Sequence, residues 1–234
     1  SVERLEQHAI SLATEQRIQS KKQSSSGWRD LQSPLHTRLD SNATVLLAAY
    51  RTSAAELTAG HSIVPAAEWL LDNFYLIEEQ IRTAQKHLPR GYCRELPGLS
   101  NGPSSTLPRV YDIALETISH GDGRVDSESL GRFITAYQSI TALSLGELWA
   151  VPIMLRLALI ENLRRVASRV MASWSDRNLA NLWADRLTET AERDAKSMVL
   201  AVADMARSAP PMTCAFVAEL ARRLQGQSTA LILP

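Results

Sequence analysis

The chain has 234 residues, 45% of them hydrophobic, and its 25 basic side chains balance 25 acidic ones. That is apolar material for one large domain or two small ones. The even charge excludes the electrostatic footprint of a nucleic-acid binder or of a protein drawn to an anionic membrane.

Glycine and proline are sparse at ten each, and Ala, Leu, Arg, Glu and Gln dominate, which are good helix formers. Lysine occurs only at Lys21, Lys22, Lys86 and Lys196, so arginine carries most of the positive charge. The two cysteines, Cys93 and Cys214, are far apart and have no metal-like or disulfide-framework spacing, which fits a reducing compartment. The chain begins without methionine and closes in an apolar run at Leu231, Ile232 and Leu233, and both ends read as cut from something longer.

In chain order, residues 2 to 19 carry Val2, Leu5, Ala9 and Leu12 at helical spacing and lack the apolar core of a signal peptide. A serine-rich stretch from Ser20 to Gly27 reads as a linker, with Trp28, Leu31 and Leu35 packing its far end onto the body. Asp40, Ser41 and Asn42 offer N-caps for a helix through TVLLAAYRTSAAELTA that stops at Gly60. Ser62 and Pro65 open the next helix, which Pro89 ends. Its predicted apolar stripe is Trp69, Phe74, Ile77 and Ile81, widened by Leu70, Leu71 and Tyr75 and flanked by Glu78, Glu79 and Arg82.

Residues 89 to 108 are the least regular part, with turn signals at Pro97-Gly98, Asn101-Gly102 and Pro103. A connection that long is often functional. Thr106 and Pro108 start a helix through Tyr111, Ala114, Leu115 and Ile118 that ends at Gly121 or Gly123, and Asp126 caps another with Leu130, Phe133, Ile134 and Tyr137. Ser144 and Glu147 form a capping box that opens a long apolar helix to about Val170, with a kink expected at Pro152. Within it, residues 148 to 163 are too short and too charged for a membrane span and read as a core helix. Two further helices are expected, capped near Ser175 and ending around Arg207, then a last one from Pro211 to Leu224.

The fold class is therefore all-α, an irregular multi-helix bundle of about eight helices. Residues 1–27 form an amphipathic helix plus polar linker. Residues 28–234 form a helical domain, with 28–123 and 124–234 as candidate subdomains.

Few motifs point to chemistry. HGDGRVDSESL has the outline of a calcium loop, but its first and third ligands would be Ile118 and His120, and Ile118 cannot coordinate. His8, His36, His61, His87 and His120 show no H-E-x-x-H spacing, so neither a metal site nor a catalytic residue is expected. Phosphate loops, dinucleotide fingerprints and nucleophile elbows are missing from the sequence.

Two stretches are richer in polar groups than amphipathicity demands: Asp72, Asn73, Tyr75, Glu78, Glu79 and Arg82, and then Glu147, Trp149, Arg156, Glu161, Asn162, Arg164 and Arg165. Adjacent Glu78 and Glu79 point about 100° apart on a helix and do not converge on one atom. A structural network, with a Glu161–Arg165 pair and Arg156 bridging helices, is the simpler reading. The tryptophans Trp28, Trp69, Trp149, Trp174 and Trp183 could stack on sugar rings. Core packing is their default, with Trp28 the exception.

The strings AAEWLLDNFYLIEEQIR, LPRGYCRELP, PRVY and GELWAVPIMLRLALIENLRR resemble the N-terminal region of cyclic β-1,2-glucan synthases, most strongly between Asp40 and Val170. The resemblance implies a segment of a very large inner-membrane enzyme of Gram-negative bacteria. Such enzymes build glucan from UDP-glucose with a magnesium or manganese ion, on a protein-linked intermediate. The D-x-D and Q-x-x-R-W patterns of the transferase domain do not occur here, and no cofactor is implied for this stretch.

The segment is thus expected on the cytoplasmic face of the membrane as a scaffold or regulator. Its partners would be the other domains of the same polypeptide. Candidate interdomain or glucan contacts are Trp69, Asp72, Glu78, Glu79, Arg82, Tyr92, Arg94, Arg109, Tyr111, Glu147, Trp149, Arg156, Glu161 and Arg164. Glucan binding or carriage, with Tyr75, Tyr92, Tyr111 or Tyr137 as attachment point, is one alternative, and an independent enzyme is another.

Overall fold

A computed structural model describes residues 2–19, 34–60, 63–88, 95–121, 123–194 and 197–230. They form eight helices and no strand: α1 (Val2–Glu15), α2 (Pro34–Thr58), α3 (Pro65–His87), α4 (Arg109–His120), α5 (Ser127–Gln138), α6 (Leu145–Arg193), α7 (Met198–Ser208) and α8 (Cys214–Ala230). No helix among the described residues is long and apolar enough to cross a membrane. The chain groups into two compact units, Ser1–Ile63 with Glu68–Val166, and Val64–Ala67 with Ala167–Pro234.

Local chemistry accounts for three of the helix ends. Gly60 adopts φ +78° two residues beyond α2, the left-handed step that glycine takes freely. The Asp126 carboxylate accepts the Ser129 N–H and starts α5. At α6 the capping box forms as expected: the Ser144 N–H donates to Glu147 Oε2 at 2.8 Å, and the Glu147 N–H reaches Ser144 Oγ at 3.4 Å.

Three boundaries differ from expectation. Helix α2 begins at Pro34, not after Asn42, because proline suits a first helical position and Asn42 is occupied elsewhere, buried against a carboxylate. Helix α4 has no side-chain cap; Thr106 instead stands in the loop at φ +74°, a strained value for a β-branched residue. Helix α6 runs unbroken through Ser175, since Asp176 does not cap there but accepts the Thr213 hydroxyl at 2.7 Å. Pro152 lies inside this 49-residue helix on its exposed side.

In the first unit, Ala9 and Ala13 of α1 share a core with Ile113, Phe133, Tyr137 and Leu143. The segment 95–108 is well tied down. Leu96, Leu99 and Leu107 are buried, and Leu99 exchanges backbone bonds with Thr106 and Leu107. The same segment clamps the end of α1: the Gln19 N–H donates to the Gly98 carbonyl, and the Asn101 side chain bonds both the Arg17 N–H and the Glu15 carbonyl. In the second unit, Ala180, Trp183 and Phe216 form a small core joined by Leu179, Met205 and Leu220.

Candidate functional site

The inward face of α6 reads Glu147, Ala150, Val151, Met154, Leu157, Ala158 and Glu161, all buried. This is the 3.6-residue period of one helix face, with a carboxylate at each end. Each carboxylate meets arginine.

At the first, the Arg109 guanidinium grips Glu147 through two parallel bonds, Nε to Oε1 at 2.5 Å and Nη2 to Oε2 at 2.8 Å, while Nη2 also donates to the Ala142 carbonyl. Arg109 and Glu147 side chains are 4% and 0% exposed, so this pair is desolvated and saved by its geometry. Burial opposes ionisation of Glu147, but the bonds from Arg109 and Ser144 prevail and hold its carboxyl below the usual range. Glu147 thus closes the capping box and binds Arg109 with the same carboxylate.

At the second, Glu161 is 2% exposed and collects donors from two helices. Asn42 Nδ2 donates at 2.7 Å and Arg38 at 3.2 Å from α2, Arg164 Nη2 at 2.9 Å and Arg165 Nε at 3.3 Å from α6. Burial would raise this carboxyl; the bonds from Asn42, Arg164 and Arg38 outweigh it and bring it down to about 2. Arg38 also lies 5.9 Å from the Tyr111 ring centroid, and burial pushes the Tyr111 hydroxyl up to about 12. Beside this cluster opens a cleft of about 430 Å³, with Arg38, Arg164, Thr37, Ser41, Ser105 and the strained Thr106 among its walls. A carboxylate this firmly ionised is no proton donor near neutrality. The cleft offers guanidinium and hydroxyl groups, which suit hydrogen bonding to a polar ligand.

Of the candidates from sequence, Arg109, Tyr111, Glu147, Glu161 and Arg164 meet in these two centres. The Glu161–Arg165 pair forms as expected, whereas Arg156 is half-buried and outside the Glu161 cluster. Asp72, Glu78, Glu79 and Arg82 lie exposed along α3, where Glu78 and Arg82 pair at 2.8 Å. Tyr92 and Arg94, like Trp28, fall outside the described residues.

Three core expectations fail. Trp69 is 53%, Tyr75 66% and Trp149 76% exposed, because the buried faces of their helices run through Ala67, Leu70, Ile77 and Ile81, and through Glu147, Ala150 and Met154. Leu145, Trp149, Leu159 and Val166 instead form an apolar stripe along the outside of α6. Arg38 and Asn42 were missed by sequence reading. A buried asparagine facing leucines at helical spacing is the signal that could have found one of them.

No family model matches the chain. Over 146 residues, 62% of the chain, it is 43% identical to the cyclic β-(1,2)-glucan synthase NdvB of Rhizobium meliloti. The matched stretch covers 5% of that protein, so the chain spans about a twentieth of the length of the curated relative it matches.

Proposed function

We propose that this chain is a helical, non-catalytic segment of a cyclic β-1,2-glucan synthase that docks onto other domains of the same polypeptide and supports their work as a scaffold or regulator. The observation that carries the reading is the 43% identity over 146 residues to a protein of that name, of which this chain would be a small part. The outward stripe of Leu145, Trp149, Leu159 and Val166 supports the docking half. Large apolar side chains left in water on an otherwise folded unit suit a surface that the rest of a long polypeptide covers. The active centre, with its UDP-glucose and magnesium or manganese, then lies outside this segment. The segment itself sits on the cytoplasmic face of the inner membrane.

The test is made in the full-length synthase. Deleting the segment should reduce or misregulate cyclic glucan synthesis, and Trp149→Glu should do the same while leaving the helical content of the isolated chain unchanged. Undiminished synthesis with normal chain length in both variants sinks the proposal.

Direct carbohydrate binding is the second reading, favoured by the cleft of arginine and hydroxyl groups beside Glu161. Titration of the chain with short β-1,2-glucans should then give saturable binding that Arg164→Ala weakens. Among the carrier tyrosines in the described residues, Tyr111 and Tyr137 are buried, whereas Tyr75 is 66% exposed and open to a transferase.

A further inference from the structure

His8 stands on α1, and Glu116 and His120 lie one turn apart on α4. The fold brings all three together: His8 Nε2 is 3.0 Å from Glu116 Oε2, and the His8 and His120 rings are 3.9 Å apart between centroids. One ligand atom from each residue falls within 4.8 Å of the others. Around a tetrahedral zinc ion with bonds of about 2.0–2.1 Å, ligand atoms lie about 3.3 Å apart, so modest side-chain rotation closes the cluster on an ion.

We propose that His8, Glu116 and His120 form a zinc-binding site that staples α1 to α4. Two imidazoles and one carboxylate are a donor set for zinc and its late first-row neighbours; magnesium and calcium prefer all-oxygen cages. Three protein ligands leave a fourth position open, and exposed His120 puts that position at the surface.

The frame around the site is already fixed. Gln16, the residue just past α1, donates to Asp112 of α4 at 2.7 Å and accepts from the Tyr137 hydroxyl at 2.6 Å, and Phe133 flanks His8 with 6.2 Å between ring centroids. The ion would take the place of the 3.0 Å contact between His8 Nε2 and Glu116 Oε2. Because His8 is 108 residues from Glu116, the ion would bind the folded chain and not the unfolded one, and would stabilise it.

The experiment is a zinc titration of the 234-residue chain against a chromophoric chelator, with thermal unfolding and zinc X-ray absorption in parallel. The expected result is one zinc per chain, a raised Tm in zinc but not in magnesium, and a spectrum with two imidazole ligands and no sulfur. His120→Ala, at an exposed position outside the hydrophobic core, should weaken binding at least tenfold and remove the Tm rise, and Glu116→Gln should weaken it with little change in shape. Non-saturable binding, sulfur ligation, or His120→Ala binding zinc as tightly as the parent overturns the proposal.

Discussion

The two units handle charge in opposite ways. The first, built on residues 1–63 and 68–166, buries two carboxylates at the ends of one helix face and surrounds each with arginine. The second, built on residues 64–67 and 167–234, keeps its cross-helix pairs, Arg186–Asp204 and Arg223–Asp185, exposed or half-exposed and relies on a small core around Phe216. A buried pair is rarely the cheapest way to fill a core, since desolvation offsets much of its attraction. What it supplies is a single allowed register: Glu147 must face Arg109, and Glu161 must face Arg38 and Asn42. The first unit thus adds buried polar geometry to its apolar core, whereas the second surrounds its small core with exposed or half-exposed pairs.

The hardest test of that contrast is Glu147→Ala. It leaves Arg109 buried and without its carboxylate and removes the capping-box acceptor, so stability should fall by about 3–5 kcal/mol in urea unfolding. A loss under about 1 kcal/mol would show that the pair is not what specifies the first unit. In the second unit, Phe216→Ala should cost about 3 kcal/mol, near the lower end for a buried aromatic, because its small cluster can partly collapse onto the gap. Hydrogen exchange should place the loss in α7 and α8, with amides of α4 and α5 keeping their protection.

Glu161 gives a pH-dependent version of the same test. Its folded carboxyl is brought down to about 2, below the ordinary value of 4.5, so the folded state binds fewer protons than the unfolded one in between. Its contribution is fully present above about pH 4.5 and is lost as pH falls through about 2. Glu161→Gln should cost about 1–3 kcal/mol at pH 7. The gap between parent and variant should narrow steadily from pH 4.5 towards pH 2. A gap that stays constant over that range would mean that the carboxylate charge contributes nothing.

How far all this could be read in advance depended on distance along the chain. The capping box at Ser144 and Glu147, the Asp126 cap and the Gly60 stop involve residues within four positions of each other, and the sequence displays them whole. Periodicity places a helix at residues 65–87 but does not say which of two adjacent stripes faces inward, which is why Trp69 and Trp149 were expected in the core and lie in water. The SWSD run near Ser175 has cap residues, yet Asp176 serves a bond to Thr213, 37 positions later. Arg38 and Glu161 are 123 residues apart, and His8 and Glu116 are 108 apart. No spacing rule spans such separations, since only the tertiary fold brings those residues together.

The smallest expected effect lies on the second unit's surface. Asp204 takes Arg186 at 3.1 Å and Arg207 at 2.6 Å, all three side chains 40% or more exposed. Water screens such pairs and long side chains lose freedom in making them, so Asp204→Asn should cost less than about 1 kcal/mol. At 1 M salt, where screening acts within about 3 Å, even that difference should vanish. Arg186→Ala should behave differently, because Arg186 also lies 5.2 Å from the centroid of the buried Trp183 ring. That contact adds about 0.5–1 kcal/mol, and being partly shielded it should survive in salt. Urea unfolding of both variants at low and high salt separates the two cases. A cost of several kcal/mol for Asp204→Asn would mean that the second unit, like the first, depends on its ion pairs.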